Sequence, residues 1–356
     1  MENSRIRRLF QTVMVPLLIC LILPGLAFSQ TPFYQGKKIK LIQGRPPGGT
    51  GDIRVRALVP FLQKHIPGNP TIVMMYKPGG GGRSATNYIY NSSRPDGLTI
   101  ANVGAGFISN AVLGEHGVRY DIDKMSYLGS ANSRTSYIFY SNSKLGLDTL
   151  EKLKSYPGLR VGGQSVGHDI YINGRLFAWL LDLKEPKFVT GYSGPEMDIA
   201  LIRGELDARA QIPDNVPKRN PEFIEKNQVY FHAVNEFPPG FRTKLPIFAK
   251  YPALHSFART DIEKKVLRMF VNFRMIGSPY FLPPDTPPQH VKTLQEAFSK
   301  ALQDPEFLDH FKKLVWVEAQ PLLWDEQTKT IQDIPRTQDV IKVFNIIAGA
   351  DPLPPR

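Results

Sequence analysis

The sequence Lys38-Ile39-Lys40-Leu41-Ile42 predicts a β-strand, and Pro46-Pro47-Gly48-Gly49-Thr50-Gly51-Asp52, which follows it, predicts a loop. Apolar residues then recur at helical spacing over residues 53–65, so a helix is expected there with Asp52 as its N-cap. A strand, a glycine-rich loop and a helix in this order are typical of a parallel βαβ unit.

The same order recurs further along the chain. Residues 71–75 predict a second strand and residues 98–103 a third. The pattern then restarts, because a strand ending at Gly163 precedes a loop over residues 164–168 and a helix over residues 170–181. The chain is therefore expected to contain two α/β units in series.

The remaining segments predict strands near a hinge and helices towards the C-terminus. Residues 125–141 and residues 268–276 look extended, and we expect both to be strands close to a hinge between the two units. Residues 286–314 form a long amphipathic segment that is interrupted near Asp304-Pro305, and residues 328–347 predict further helix.

The N-terminus has the order of charged, apolar and small residues of a secretory signal peptide. Three arginines within residues 5–8 precede an apolar run over residues 13–28, and Ala27 and Ser29 are the small residues expected before a cleavage site. The run is short for a membrane span and contains two prolines, which favours a cleaved signal over a membrane anchor. Because Cys20, the only cysteine, lies in this run, the mature chain is expected to have neither a disulfide nor a thiolate site.

Composition favours a soluble globular chain and argues against several functional classes. With 42% hydrophobic residues the chain can bury a large core, and its formal net charge of +12 is dispersed among acidic residues. A dispersed positive field suits anionic solutes, so no nucleic acid partner is expected. The seven histidines show no metal-ligand spacing and no nucleotide-binding loop is present, so neither a metal nor a cofactor is expected.

Two of the predicted strand–loop–helix units begin with loops that suit an anion. Free N–H groups at a helix N-terminus and the helix dipole both favour negative charge, and glycine lets a ligand approach the backbone closely. If the two units form two lobes, the loop over residues 47–52 and the loop over residues 163–168 are expected to face each other. Backbone amides from both sides would then hold a carboxylate.

Several short motifs follow one another between about residue 37 and residue 310. They are Pro46-Pro47-Gly48-Gly49-Thr50-Gly51-Asp52-Ile53, Lys77-Pro78-Gly79-Gly80-Gly81-Gly82, Arg94-Pro95-Asp96-Gly97-Leu98-Thr99-Ile100, Gly191-Tyr192-Ser193-Gly194-Pro195, Arg203-Gly204-Glu205-Leu206-Asp207 and Pro283-Pro284-Asp285-Thr286-Pro287. Taken in this order, the motifs make the chain resemble the substrate-binding receptors of tripartite tricarboxylate transporters, the Bug family.

The resemblance implies an α/β fold of the periplasmic-binding-protein (Venus flytrap) architecture, with two lobes, a hinge and a central ligand cleft. After a signal peptide over residues 1–29, lobe I would comprise residues 30–138 and 229–356, and lobe II residues 139–228. It also implies a periplasmic, non-enzymatic receptor that captures a small organic carboxylate and delivers it to membrane permease subunits. A monomer is expected, because the rim of the cleft must stay exposed to that partner.

Carried over position by position, the resemblance places a set of loop residues around the ligand. They are Pro47, Gly48, Gly49 and Thr50 in the first lobe, and Gln164, Ser165, Gly167, His168 and Tyr192 in the second. Either Gln211 or Asp214 would meet the far end of the ligand, since the spacing after Asp207 fits neither cleanly. Arg56 would either reach the cleft or form an ion pair on its helix.

Two other functions stay open at this point. A receptor of this fold can hand its ligand to a signalling partner instead of a permease. In addition, Ser165 lies in Gly163-Gln164-Ser165-Val166-Gly167, which fits the G-x-S-x-G pattern of a hydrolase nucleophile, with His232 as the one loosely plausible histidine.

Overall fold

The computed structural model of the chain describes residues 31–133, 135–241 and 245–356. The predicted signal peptide lies outside the described residues. Within the described ranges, no helix combines the length and the apolar character needed to cross a bilayer.

The strands are, in chain order, β1 (Lys38–Gln43), β2 (Thr71–Tyr76), β3 (Thr99–Asn102), β4 (Ser126–Ser130), β5 (Thr135–Asn142), β6 (Arg160–Gly162), β7 (Lys187–Val189), β8 (Ala208–Gln211), β9 (Val229–Phe237), β10 (Tyr280–Leu282) and β11 (Leu322–Leu323). The α-helices are α1 (Thr50–His65), α2 (Arg83–Ser92), α3 (Gly106–Val112), α4 (Leu150–Ser155), α5 (Asp169–Leu180), α6 (Gly194–Arg203), α7 (Asn215–Arg219), α8 (Glu222–Glu225), α9 (Asp261–Met275), α10 (Pro288–Gln303), α11 (Pro305–Val315), α12 (Trp324–Gln332) and α13 (Gln338–Ala348).

These strands form two mixed sheets with the same arrangement of parallel strands. The first sheet has the order β11-β4-β10-β3-β1-β2 and the second the order β7-β6-β8-β5-β9. In the first, β1 pairs in parallel with both β2 and β3, and in the second β6 pairs in parallel with both β7 and β8. The predicted repeat of an α/β unit is therefore confirmed, and the central parallel strand of each sheet precedes one of the two predicted anion loops.

The chain crosses from the first sheet to the second over a short distance. β4 ends at Ser130 and β5 begins at Thr135, so the two strand ends are at most about 18 Å apart. β4 and β5 confirm the strands expected within residues 125–141. β9, which starts at Val229, pairs with β5 in the second sheet, so the boundary expected between residues 228 and 229 falls at the start of a strand of that sheet.

The strand expected over residues 268–276 is wrong, because this segment is the second half of helix α9. The Thr260 side chain accepts a hydrogen bond from the Glu263 N–H while Glu263 caps the Thr260 N–H, which fixes the start of the helix at Asp261, before the predicted strand. The buried run from Met269 to Phe273 is apolar on several sides, and a short apolar run does not distinguish a buried helix from a strand.

The predicted C-terminal helices are confirmed. The long amphipathic segment divides into α10 and α11 at Asp304, whose side chain accepts a hydrogen bond from the Glu306 N–H and caps α11. α12 and α13 follow.

The C-terminal segment packs against the second sheet's helix α5. The Arg175 guanidinium on α5 donates to the carbonyls of Ile346 and Ile347, and the Tyr171 hydroxyl donates to the carbonyl of Gly349. The last part of the chain therefore holds α5, the helix that begins directly after the second predicted anion loop.

Candidate ligand-binding site

The predicted site residues follow the carboxyl ends of parallel strands. The loop over residues 44–49 follows β1, the loop over residues 163–168 follows β6, and Tyr192 follows β7. Ligands of open α/β sheets bind at this edge, at the point where the neighbouring connections run in opposite directions. Because β4 also ends at this edge and leads directly into β5, the carboxyl edges of the two sheets adjoin.

Asp52 anchors the first loop and is not the N-cap that the sequence suggested. α1 begins at Thr50 with Gly49 as its N-cap, so Asp52 lies inside the first turn, where it is 2% exposed. Its Oδ2 atom accepts a hydrogen bond from the Gly48 N–H at 2.9 Å, and its Oδ1 atom accepts one from the Tyr76 hydroxyl at 2.8 Å. Burial by itself would raise the pKa of the Asp52 carboxyl, but these bonds and the one from Arg56 lower it below its usual value. A buried, ionised carboxylate therefore fixes the position of the loop.

This arrangement divides the predicted loop residues into two groups. The Gly48 N–H is bound to Asp52 and does not point to a ligand. Pro47, Gly49 and Thr50 are exposed. The Asp52 and Ile53 N–H groups donate to the Gly49 carbonyl, so the N–H groups of Thr50 and Gly51 are the ones that have no acceptor within the helix. Arg56 forms the ion pair with Asp52 at 2.9 Å, the second of the two placements expected for it.

Two arginines that the sequence analysis did not single out lie beside this loop. Arg45 follows β1 and donates to the Asn102 side-chain oxygen at 3.1 Å and to the Ser278 hydroxyl at 2.6 Å. Arg54 on α1 donates to the Asn132 side-chain oxygen from both terminal nitrogens, at 3.0 and 3.2 Å, in the amide orientation that satisfies both groups. Both arginines are half-buried, and both reach segments that run between the two sheets.

The two guanidinium groups lie on the same face of α1. Arg45 packs on Gly51, where an added Cβ would be only 2.7 Å from the Arg45 Cδ, and Arg54 follows three residues later on the same helix face. Burial lowers the pKa of Arg45, and the charge of Arg54 lowers it further although Tyr280 opposes this. Burial also lowers the pKa of Arg54. Neither arginine forms an ion pair with an acid among the described residues.

The predicted residues of the second sheet gather around two linked loops. The Gly163 N–H donates to the Val189 carbonyl at 2.8 Å, and the Gly191 N–H donates to the Gln164 carbonyl at 3.0 Å, so the loops after β6 and β7 lie side by side. Gln164, Ser165 and Gly167 are exposed in the first of these loops. Tyr192, in the second, is half-buried and packs against the core of this sheet.

His168 is the N-cap of α5. Its Nδ1 atom accepts a hydrogen bond from the Ile170 N–H at 3.2 Å, so in the neutral ring the proton is on Nε2. The ring is half-buried, and its Nε2–H is therefore a donor at the same loop as Gln164 and Ser165.

Gln211 and Asp214 lie at the carboxyl end of β8 with different exposure. Gln211 is the last residue of the strand, is 2% exposed, and accepts a hydrogen bond from the Ile212 N–H at 3.2 Å. Asp214 is exposed at the start of α7. Which of the two meets a ligand stays a prediction.

An ion pair joins the second loop to the segment that holds the first. Arg274, near the end of α9, pairs with Asp169, which directly follows His168. Four residues later in the chain, Ser278 binds Arg45. The segment from Arg274 to Ser278, which covers the end of α9 and the turn before β10, thus contacts both sides of the candidate site.

The histidine of the hydrolase hypothesis contacts a different serine. His232 on β9 is 2% exposed and bonds to the Ser141 hydroxyl on β5 through its Nε2 atom at 2.8 Å. Desolvation lowers the pKa of His232 to about 4. The pair lies inside the second sheet, so it does not assemble a nucleophile with Ser165. Across the described part of the chain, no group of three metal-ligating side chains is found.

A separate cavity of about 540 Å³ lies between α9 and α12. Its lining includes Leu267, Val271 and Met275 on α9 and Lys329 on α12, and it includes none of the predicted ligand residues.

Known structures share this fold. A TctC solute-binding protein from Polaromonas matches with a TM-score of 0.63 and 15% sequence identity, over 88% of this chain and 98% of that one. The periplasmic binding protein BugD matches with a TM-score of 0.52 and 18% identity, over 90% of this chain and 100% of that one. MatC from Rhodopseudomonas palustris, solved with bound malate, matches with a TM-score of 0.50 and 18% identity, over 88% and 99%.

No protein-family model matches the sequence, and no curated protein matches it. At identities below 20%, the likeness to the solved structures establishes the fold. The chain therefore has the two-sheet α/β architecture of TctC- and Bug-type periplasmic binding proteins.

Proposed function

We propose that this chain is an extracytoplasmic solute-binding protein of the tripartite tricarboxylate transporter type, which captures a small organic carboxylate and does not transform it. The observation on which the proposal rests is the gathering of anion-binding groups at the adjoining carboxyl edges of the two sheets. On one side lie the first turn of α1, Arg45 and Arg54, and on the other the loop that ends at His168.

Each of these groups favours a negatively charged ligand. The N-termini of α1 and α5 place N–H groups and the positive ends of helix dipoles at the two edges. The arginines add positive charge that no acid among the described residues neutralises by direct contact. A carboxylate between the edges would meet donors from both sheets, with Pro47, Gly49 and Thr50 on one side and Gln164, Ser165, Gly167 and His168 on the other.

Periplasmic location and delivery to a permease belong to the same proposal. The order of residues over 1–29 favours export, and the fold is shared with the periplasmic binding protein BugD and with MatC, which was solved with bound malate. The proposed receptor is a monomer that presents the rim of its cleft to membrane permease subunits.

A thermal-shift screen of the chain from residue 30 onward tests ligand capture. The panel consists of small mono-, di- and tricarboxylates, each with its neutral amide. A ligand that binds only the folded state stabilises it by about 2.7 kcal/mol at 100 times its dissociation constant. We expect a shift with at least one carboxylate and none with the matching amide. Equal shifts with carboxylates and amides, or no shift with any carboxylate, would refute the proposed carboxylate site.

A further inference from the structure

We infer that Arg45 and Arg54 form a paired-guanidinium subsite that selects ligands with two negative charges at one end. This inference rests on the proposed function and adds to it the charge of the ligand group. Two chemistries supply such an end group, namely two carboxylates on neighbouring carbons or one phosphonate.

Arg45 and Arg54 have no acidic partner within the described part of the chain. Acidic side chains pair with other arginines of the same region, since Asp52 binds Arg56 and Asp169 binds Arg274. Among the described residues, Arg45 and Arg54 bond only to neutral partners, the side chains of Asn102, Ser278 and Asn132. Their two positive charges therefore remain without an ion pair at the sheet edge.

The two guanidinium groups also have unused hydrogen-bond donors. The Nε atom of Arg54 is buried and has no partner. A guanidinium has five N–H donors in a planar fork, and the bonds to neutral side chains use only some of those of Arg45 and Arg54. Buried donors without acceptors are rare in folded proteins, and a bound anion supplies acceptors of the right charge.

The two guanidinium groups lie beside the same turn of α1. Arg45 packs over Gly51 and Arg54 projects from the same face of α1 one turn later. Burial lowers the pKa of Arg45 most, and the charge of Arg54 lowers it further, which shows that the two guanidiniums are close enough to repel each other. A single negative charge would relieve only part of this repulsion, whereas two negative charges neutralise the pair.

Arginine is also the residue type that suits this task. Its planar fork matches carboxylate and phosphonate oxygens, and it stays charged when partly buried. The neutral partners Asn102 and Asn132 hold the two side chains in place without neutralising them. The subsite is thus preorganised for an anion.

Isothermal titration of the chain from residue 30 onward with matched probes tests the inference. Succinate is compared with succinamate, which lacks one charge, and propylphosphonate with butanoate at a pH where the phosphonate is doubly ionised. In the wild type we expect the doubly charged member of at least one pair to bind at least tenfold more tightly. A preference confined to succinate identifies paired carboxylates as the source of the charge, and one confined to propylphosphonate identifies a single dianionic group.

The variants Arg54→Gln and Arg54→Lys then test whether the preference for the doubly charged probe depends on Arg54. Arg54→Gln is expected to reduce the preference for the doubly charged probe to less than about threefold. Arg54→Lys keeps the charge but not the planar fork, and is expected to give a preference between those of Arg54→Gln and the wild type. Arg45→Gln provides a second variant of the pair. Arg203→Gln, at a side chain that is 70% exposed on α6, is the matched control and is expected to keep the full preference.

The outcomes separate this inference from the proposed function. If the wild type binds singly and doubly charged probes equally, or if Arg54→Gln and Arg45→Gln both keep the full preference while remaining folded by circular dichroism, the paired subsite is wrong and carboxylate capture stands. If no charged probe binds the wild type and the carboxylates of the thermal-shift panel also give no shift, both are wrong.

Discussion

Replacing Asp52 with asparagine tests how the first loop is held in place. Its carboxylate accepts hydrogen bonds from the Gly48 N–H at 2.9 Å, from Arg56 at 2.9 Å and from the Tyr76 hydroxyl at 2.8 Å. In Asp52→Asn, one acceptor oxygen becomes an NH₂ donor that faces other donors, and the buried charge is lost.

Hydrogen bonds to a charged group contribute about 1.5–3 kcal/mol each, so we expect the free energy of unfolding to fall by about 1.5–3 kcal/mol. Urea unfolding followed by circular dichroism measures this change. The Gly48 N–H loses its charged acceptor and is left with at most a neutral amide oxygen, so the affinity for the best carboxylate of the panel is expected to fall by about tenfold or more, which corresponds to 1.4 kcal/mol.

The pH dependence of this effect has a definite sign. The pKa of Asp52 is lowered in the folded state, so its contribution to stability is present above the unfolded pKa of about 3.9 and is lost as the pH falls through the folded pKa. The difference between wild type and Asp52→Asn should therefore be full at pH 7 and shrink in acid.

Asp309→Asn is the matched control, because Asp309 is 62% exposed and its one ion pair among the described residues is with Lys313 on the same helix face. An exposed pair of this kind contributes about 0.3–0.5 kcal/mol. If Asp52→Asn costs no more than Asp309→Asn and leaves the affinity unchanged, then Asp52 does not anchor the loop.

Two further predictions concern the core of the second sheet. Arg209→Met leaves the Asp198 carboxylate, which is 4% exposed, without the guanidinium that binds its Oδ1 atom, and is expected to cost about 3–5 kcal/mol in urea unfolding. Arg219 lies 3.9 Å from the other oxygen of Asp198, and a loss below about 1 kcal/mol would show that Arg219 replaces the missing partner. Desolvation lowers the pKa of His232 to about 4, so the folded state favours the neutral ring. The contribution of neutral His232 to the free energy of unfolding is complete above the unfolded pKa of about 6.5. It is lost as the pH falls towards 4, which changes the free energy of unfolding by about 3 kcal/mol. His232→Gln should flatten the stability curve over this window, and an unchanged curve would contradict the assignment.

The alternation of strands and helices was predictable from the sequence because it depends on local patterns. The apolar strand before Pro46 and the helical spacing after Asp52 fix the first unit, and the same order fixes the unit around the loop over residues 164–168. α9 was missed because its apolar second half was considered without the capping box at Thr260.

The details of the site were only partly predictable. Asp52 precedes an apolar periodic run and so resembles an N-cap, but the helix starts two residues earlier and buries it. Arg45 and Arg54 were overlooked although a signal existed, since the i,i+4 spacing of Asp52 and Arg56 pairs those two and leaves Arg54 without an acid on its own helix. The contacts of Arg45 with Ser278 depend on the return of the chain 233 residues later, which no local pattern reveals.

A crystal structure of the chain with the tightest carboxylate of the panel tests ligand capture between the two sheet edges most directly. We expect one ligand carboxylate within hydrogen-bonding distance, about 2.7–3.2 Å, of N–H groups from both the first turn of α1 and the loop over residues 164–168. A ligand bound instead in the cavity between α9 and α12, with the loops unoccupied, would contradict it.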